Sequence, residues 1–464
     1  MDKYHKLAMN SLIFAIGNLG SRFISIIMVP LYTRFMTTSE YGQVDLVTTA
    51  ISLLLPIISL AIGQAVIRFA VAYSESDDRK RIFSNAVALN ILGTLLLGLV
   101  FLILQPFHLF HGLLAYFTIL LILQLFGDTI SQFVRGIGRV RQYAINGILT
   151  TIITAGLNIL LIVQWQQGVD GYLVSMIVAA AISDFYLFIV SRGFNLFSIR
   201  HLNKKLLGSM LIYAVPLIPN SIMWWIINGS TRYLILFFVG AGANGLFAVA
   251  NKIPSILSIA TNIFSQAWQL SAFEEQDSSD KAGFYTSVFK NYYTVLFIGA
   301  SIILIITKPL IIYTVGQQFS SSWELVPFLL LASMYQSFSG FLGTTYTASL
   351  QTKGVFTTSI LAAMVSFIAN LVLLPIIGVY GAGIGTCLGF VAMWWIRLKD
   401  TKKIIGLNVN LKEYALLNIV FFIQTGIMYL FNNSTLVVAE ALCFILMCLV
   451  VHQNLYSVIK KVLK

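Results

Sequence analysis

Charge is the scarcest commodity in this sequence. Only 10% of its 464 residues are Asp, Glu, Lys or Arg, where a soluble domain carries roughly 25%. Cysteine is nearly absent too. The three present, Cys387, Cys443 and Cys448, sit inside apolar runs without metal-ligand spacing, which excludes a disulfide framework or a cysteine-based metal centre. His108 and His111, in "FHLFH", have helical metal-ligand spacing but no acidic or cysteine partner nearby in sequence, so no metal is expected. No loop ends in the Gly-Lys-Ser/Thr of a nucleotide-binding motif, including the Thr-rich "GTTYTASLQTKG". The longest polar connections, near 192–207, 272–290 and 398–412, are each under 20 residues. None can fold as a soluble catalytic domain, so an enzyme is not expected.

Apolar sequence fills the rest. Hydrophobic residues make up 58% of the chain, and mean hydropathy is +0.87. Runs near the ~20 residues needed to cross a bilayer recur from end to end, so the fold class is an all-α polytopic membrane protein. About fourteen spans are expected, roughly 8–35, 42–72, 83–104, 113–134, 142–164, 171–191, 208–238, 243–271, 291–312, 323–349, 355–375, 379–397, 413–431 and 436–458. The first is read as uncleaved, because its apolar run continues past Arg22 without a small-residue cleavage site. Pro30, Pro56, Pro216, Pro219 and Pro254 fall inside the longest spans and predict kinks there, since each removes a helix hydrogen bond.

Acid is scarcer than base: 17 against 29, for a net charge of +12. With the N-terminus inside, 23 of the 29 Lys and Arg fall on the termini and the even-to-odd connections, and the seven outer loops hold none. Short cytoplasmic loops carry this bias, so both termini are expected in the cytoplasm. The positive charge then answers to topology and anionic headgroups, not to nucleic acid.

Six basic residues remain within spans: Arg22, Arg34, Arg68, Arg232, Lys252 and Lys308. Arg22 lies about 21 Å along a span that starts near residue 8, at ~1.5 Å per residue. An arginine at mid-membrane costs about 2.5–3.5 kcal/mol. An anion held in a wet cavity would justify it; a structural pair with Asp128 or Asp184 is the alternative. Arg34 lies ~18 Å further out, either snorkelling, paired with Glu40 or Asp45, or facing an outer cavity. Arg232 belongs to the corresponding long span of the second half, and Lys252 lies about 15 Å into the eighth. Lys308, beside Pro309, reads as snorkelling. Arg68 is expected to pair with Asp128 or Asp184, as a structural contact or an inner gate, and these two acids are also the candidates for ion coupling. The excess of base suits a phosphate or diphosphate, which guanidinium groups bind through paired hydrogen bonds. Asn18, Asn228, Asn251, Gln266 and Trp224 are the candidate sugar contacts, although helix packing is the plainer reading of Trp224–Trp225.

A weak internal repeat relates "LYTRFMTTSEYGQVDLVTTA" (31–50) to "FFVGAGANGLFAVANK" (237–252), aligned at Gly42 and Gly245. Three segments follow: 1–206 with six spans, 207–410 with six, and 411–464 with an extra helix pair and a basic tail. Paired bundles around a midplane site are a common transporter plan.

The opening "NSLIFAIGNLGSRFISIIMVPLYTRFMTTSEYGQVDLVTT" resembles that of bacterial Wzx-type polysaccharide repeat-unit flippases. "LYTRFMTTSEYG" matches their first-span ending, and "YLILFFVGAGANGLFAVANKIPSIL" resembles its second-half counterpart. These proteins belong to the superfamily of multidrug, oligosaccharidyl-lipid and polysaccharide exporters. The resemblance implies two pseudo-symmetric six-helix lobes in a V around a central cavity, plus two C-terminal helices. It implies alternating access in the bacterial cytoplasmic membrane, with an undecaprenyl-diphosphate-linked oligosaccharide as cargo for capsule, O-antigen or exopolysaccharide. Partners would be that lipid, the bilayer, and the polymerase and chain-length proteins of the same pathway. No cofactor is implied; proton or sodium coupling stays open. Ser21-Arg22 also matches a Ser-Arg pair of lipid II flippases, so a lipid II or teichoic-acid precursor is the second reading. A cation-coupled multidrug exporter and a membrane polymerase or glycosyltransferase follow it.

Overall fold

The computed structural model describes residues 20–73, 75–107, 112–274, 280–349, 351–431 and 433–452. Among these residues every regular element is a helix. The chain divides into two compact units, 1–225 and 226–464.

In the first unit a helical run at 20–27 continues past Met28 as α1 (Val29–Phe35). It is followed by α2 (Thr38–Ile58), α3 (Ile62–Ala72), α4 (Ser76–Leu104), α5 (Leu114–Gly136), α6 (Val140–Asn158), α7 (Gly168–Ser191), α8 (Lys204–Ala214) and α9 (Ile218–Asn228). A capping box starts α2: the Thr37 side chain accepts the Glu40 N–H, while Glu40 accepts the Thr37 N–H at 2.7 Å. α5 lies at the centre, packed against α2, α3, α4, α6 and α7. Asn90 of α4 donates to both Leu125 O and Thr129 Oγ1 of α5, at 2.9 and 2.8 Å. Within an apolar medium such amide bridges fix one helix on the next. Met210 and Ala214 of α8 lie fully buried in the same core as Phe83, Phe133 and Leu187. Trp225 Nε1 donates to Thr49 O at 2.8 Å. The first unit therefore extends through α8 and most of α9, beyond residue 206.

The second unit holds α10 (Ser230–Phe238), α11 (Ala241–Ala250), α12 (Lys252–Glu274), α13 (Lys281–Thr314), α14 (Val326–Ala348), α15 (Thr352–Ile377), α16 (Tyr380–Ile405), α17 (Leu411–Leu430) and α18 (Asn433–Val450). Its core is aromatic. Trp268 stacks on Phe341 at 4.1 Å, Phe264 on Tyr292 at 4.3 Å and Trp394 on Tyr414 at 4.9 Å. Leu417, Phe421 and Met447 are buried in this core, so the terminal pair α17–α18 packs as an integral part of the unit.

Among the described residues, eleven helices are long and apolar enough to cross a membrane, twelve if the bent pair α11–α12 counts as one span. The two further spans expected from the sequence are the first, described only from residue 20, and the last, a shorter apolar helix. Four long spans are interrupted where prolines predicted it. Pro30 opens α1, and Pro56 lies in the last turn of α2 before a joint at Leu60–Ala61, both with positive φ. Pro216 sits in the 3-10 turn between α8 and α9, and Pro219 in the first turn of α9. Pro254 lies in the first turn of α12, just after a 41° bend. Proline is tolerated there because first-turn N–H groups have no intrahelical acceptor.

The repeat also has a structural counterpart. Gly42 and Gly245 are each the fifth residue of their helix, both buried, and each helix follows a span carrying an arginine.

Candidate functional site

The first unit presents Arg22 on an exposed face. Its neighbours Gly20 and Ser21 turn instead towards Ile148 and Gly147 of α6. A step of one residue rotates a side chain by ~100°, which carries Arg22 away from that contact. Arg34 is exposed in the last turn of α1. Of the readings open for Arg34, a pair with Glu40 is not formed among the described residues: the capping box engages Glu40 with the start of α2.

Asp128 and Asp184 lie in neighbouring layers of the first unit. The Asp184 carboxylate of α7 rests on Gly127 of α5, and the Asp128 carboxylate of α5 rests on Gly63 of α3; neither glycine has room for a methyl group. Gln132 donates to Asp128 Oδ1 at 3.3 Å, and Arg135 Nη1 donates to Gln132 Oε1 at 2.9 Å. The Arg135 guanidinium also lies over the Tyr143 ring, 5.1 Å from its centroid. Asp184 Oδ2 is buried with no hydrogen bond among the described residues.

Arg68 does not join them: it is exposed and, among the described residues, forms no ion pair with either acid. The reason is helical phase. Arg68 follows Gly63 by five residues, and so points about 140° away from the face that receives Asp128. The basic group linked to Asp128 is Arg135, through Gln132.

The second unit gathers several expected residues around Phe247. Arg232 is half-buried, donates from Nη1 to Asn228 O at 2.6 Å and sits over the Phe247 ring at 5.8 Å. Asn251, at the α11–α12 bend, donates to Phe247 O at 3.0 Å. Lys252, the first residue of α12, is half-buried beside it. Asn228 is exposed at the end of α9. Trp224 is 45% exposed, in contrast to Trp225 fastened to Thr49. Asn18, His108 and His111 lie outside the described residues, as does the side chain of Gln266. Among the described residues no group of three or more His, Cys, Asp and Glu could hold a metal.

Two cations depart from their sequence reading. Lys308 does not snorkel. It is 6% exposed, donates to Met428 O and Phe431 O at 2.7 and 2.9 Å, and stands 4.3 Å from the Trp323 ring. Those carbonyls end α17, where the helix dipole is negative. Arg397, the last residue of the expected span 379–397 and counted by sequence with the cytoplasmic connection after it, lies inside α16 and is 4% exposed. It donates to Ser339 O, Thr358 Oγ1, Ser359 Oγ and Val355 O. The apolar "MWWIRL" around it was the available signal, since an arginine flanked by tryptophans and leucine continues a span as readily as it ends one.

A family model described as "Polysaccharide biosynthesis protein" matches residues 7–269. No curated protein matches the chain in sequence. Among solved structures, the lipid II flippase MurJ in an inward closed conformation is similar with a TM-score of 0.76 at 12% identity, covering 97% of this chain and 99% of that one. An inward-facing multidrug resistance transporter of the MATE family gives 0.63 at 12% identity, covering 84% and 100%. A transporter of the MOP superfamily from Pyrococcus furiosus, reported with reversed binding-pocket polarity, gives 0.57 at 11% identity, covering 86% and 96%. The fold is thus one that this chain shares with a flippase and with multidrug and MOP-superfamily transporters.

Proposed function

This chain belongs to the polysaccharide biosynthesis protein family, and from that premise we propose that it is a flippase for undecaprenyl-diphosphate-linked oligosaccharide repeat units. The family match over residues 7–269 carries the reading. The MurJ-like fold supports a lipid-linked cargo, because it spans nearly the whole of both chains. The protein would move its cargo from the cytoplasmic to the outer leaflet of the bacterial inner membrane by alternating access, with both termini cytoplasmic.

The charges fit an anionic headgroup. Arg22 and Arg34 stand exposed on the first helix, and Arg232 and Lys252 are half-buried in the second unit. In the first unit we assign Arg22 to the diphosphate and Arg34 to its approach; in the second, Lys252 and Arg232 suit the same anionic chemistry. Asn228, Asn251 and Trp224 would meet the sugars. The role of Asp128 and Asp184 is coupling: Asp184 has an unpartnered buried oxygen among the described residues, the kind of group a proton or small cation satisfies. Arg68, exposed and in no ion pair among the described residues, would act at the cytoplasmic mouth. A lipid II cargo is the second reading, favoured by Ser21-Arg22 and the 0.76 match. A multidrug exporter would need acids facing a cationic drug, and the basic excess opposes it.

The test measures lipid-linked oligosaccharide on each face of the inner membrane in depleted cells, restored with the normal chain or with Arg22→Ala. Depletion should trap the lipid on the cytoplasmic face. Arg22→Ala should restore flux about 10- to 100-fold less well, the worth of one charge-assisted hydrogen bond at ~1.5–3 kcal/mol. Equal restoration by both chains would remove Arg22 from the site, and an untrapped lipid pool would sink the flippase reading.

A further inference from the structure

The first unit carries another basic feature, built by helix ends that hold none of the cations assigned above. A cleft of about 280 Å³ opens where α3 ends, α4 begins and α8 begins, lined by Tyr73, Asp78, Arg81, Asn203, Lys205 and Ser209, with Ile82 and Leu206 at its apolar side. Its walls are pinned together. Ser84, fully buried, donates to Leu196 O and accepts the Ser198 N–H, each at 3.1 Å. Asn85, 2% exposed, accepts the Asn203 N–H at 3.2 Å and donates to Arg81 O at 2.8 Å. Two buried side chains of α4 thereby hold the 196–203 segment in place and fix the distance between the cleft's two basic residues.

The chemistry on the rim is that of a phosphate site. Arg81 and Lys205 are exposed there. Asp78 stands 3.7 Å from Arg81, beyond hydrogen-bond distance, so the guanidinium donors are not consumed by it. Asn203 accepts the Leu206 N–H through Oδ1 at 3.0 Å, which leaves its amide hydrogens uncommitted. Arg81, Lys205 and Asp78 sum to one positive charge, which a single phosphodiester neutralises. A zwitterionic headgroup would leave that charge uncompensated. The surroundings select a lipid over a free anion. Val71, two residues before Tyr73, is 66% exposed, and Ile212 and Tyr213 of α8 are 79% and 42% exposed. Tyr213, Phe69 and Tyr73 form a continuous aromatic row. Exposed apolar sequence beside a charged rim is the profile of a membrane boundary, where one end of a side chain is dry and the other wet.

We propose that this cleft binds the phosphodiester headgroup of an anionic membrane lipid, with Arg81 and Lys205 on the phosphate and the acyl chains along α3 and α8. The site is separate from the translocation reading and stands without it. Held lipid would tie the 196–203 segment to the bilayer surface.

Native mass spectrometry of the delipidated full-length protein tests this, with phosphatidylglycerol, phosphatidylcholine or inorganic phosphate added separately and together. Phosphatidylglycerol should be retained at one site that phosphatidylcholine fills weakly and inorganic phosphate does not empty. Lys205→Ala should weaken retention about fivefold and Arg81→Ala with Lys205→Ala about 25-fold, following the usual contribution of each basic residue at an anionic surface. Thermal unfolding in detergent checks the fold. If the double variant unfolds early, Lys205→Ala decides, because Lys205 is exposed and only its backbone carbonyl is used, by Ser209. Equal retention by Lys205→Ala, equal binding of phosphatidylcholine, or displacement by inorganic phosphate would each overturn the assignment.

Discussion

Two sets of cations, one in each unit, are held in opposite ways. In the first, the intramembrane cations Arg22, Arg34 and Arg68 remain exposed, while two carboxylates lean on glycines. In the second, Lys308 and Arg397 are almost completely enclosed, and among the described residues neither hydrogen-bonds a carboxylate. Backbone carbonyls and hydroxyls satisfy them instead. The contrast teaches that a cation inside an apolar bundle has two stable solutions. It can be left accessible for an anion that comes and goes, or its donors can be distributed over fixed neutral oxygens so that it joins three helices. The first solution leaves room for ligand; the second removes it.

Breaking the second solution should have the largest effect. Arg397→Leu removes the guanidinium bonds to Ser339 O, Thr358 Oγ1 and Ser359 Oγ and lifts the clamp from α14 and α15. Each lost hydrogen bond to a charged group costs about 1.5–3 kcal/mol, so the thermal midpoint in detergent should drop well below that of Arg22→Ala, which should unfold like the normal chain. A midpoint shared by all three proteins would erase the distinction between the units.

A smaller effect sharpens the account of the first unit. Gly63→Ala or Gly127→Ala drives a methyl group into the Asp128 or Asp184 carboxylate. Overpacking of this kind costs about 1–3 kcal/mol. Gly98→Ala, where nothing lies within 4 Å, should be neutral or stabilising by up to ~1 kcal/mol, as helix propensity favours alanine. Similar midpoints for all three would mean that the carboxylates do not depend on those glycines. The smallest loss of stability is expected for Thr37→Ala, about 1 kcal/mol from the lost cap at the start of α2, read from the same melts. If this substitution instead freed Glu40 to pair with Arg34, transport would change more than stability.

Much of the fold was legible because lipid imposes simple rules. Apolar runs near 20 residues placed the helices, and prolines placed their breaks: Pro56 before the Leu60–Ala61 joint, Pro216 in a 3-10 turn, Pro254 after the α12 bend. The candidate site residues could be named by type and expected depth but not by partnership. Arg22 is singled out by its expected depth alone. The Arg68 reading went astray because equal depth says nothing about helical phase, and Arg68 and Gly63 face different ways. Lys308 and Arg397 were misread for a further reason. Their acceptors are backbone carbonyls and, for Arg397, two hydroxyls as well, neutral groups that do not announce a cation partner in sequence; Met428 O and Ser339 O lie 120 and 58 residues away.

Those separations also set an order of events during synthesis. The acceptors of Arg397, at residues 339 to 359, precede it in the chain, so α16 emerges to find its partners already made. Lys308 has the reverse history, since Met428 lies 120 residues downstream. At about 5–20 residues per second, the ribosome needs roughly 6–24 s to deliver it. During that interval the ammonium can only reach for the bilayer surface, which its place near the end of α13 allows. The snorkelling posture expected from the sequence would then describe the nascent chain, and the buried lysine would mark the moment at which α17 arrives and α13 ceases to face lipid there.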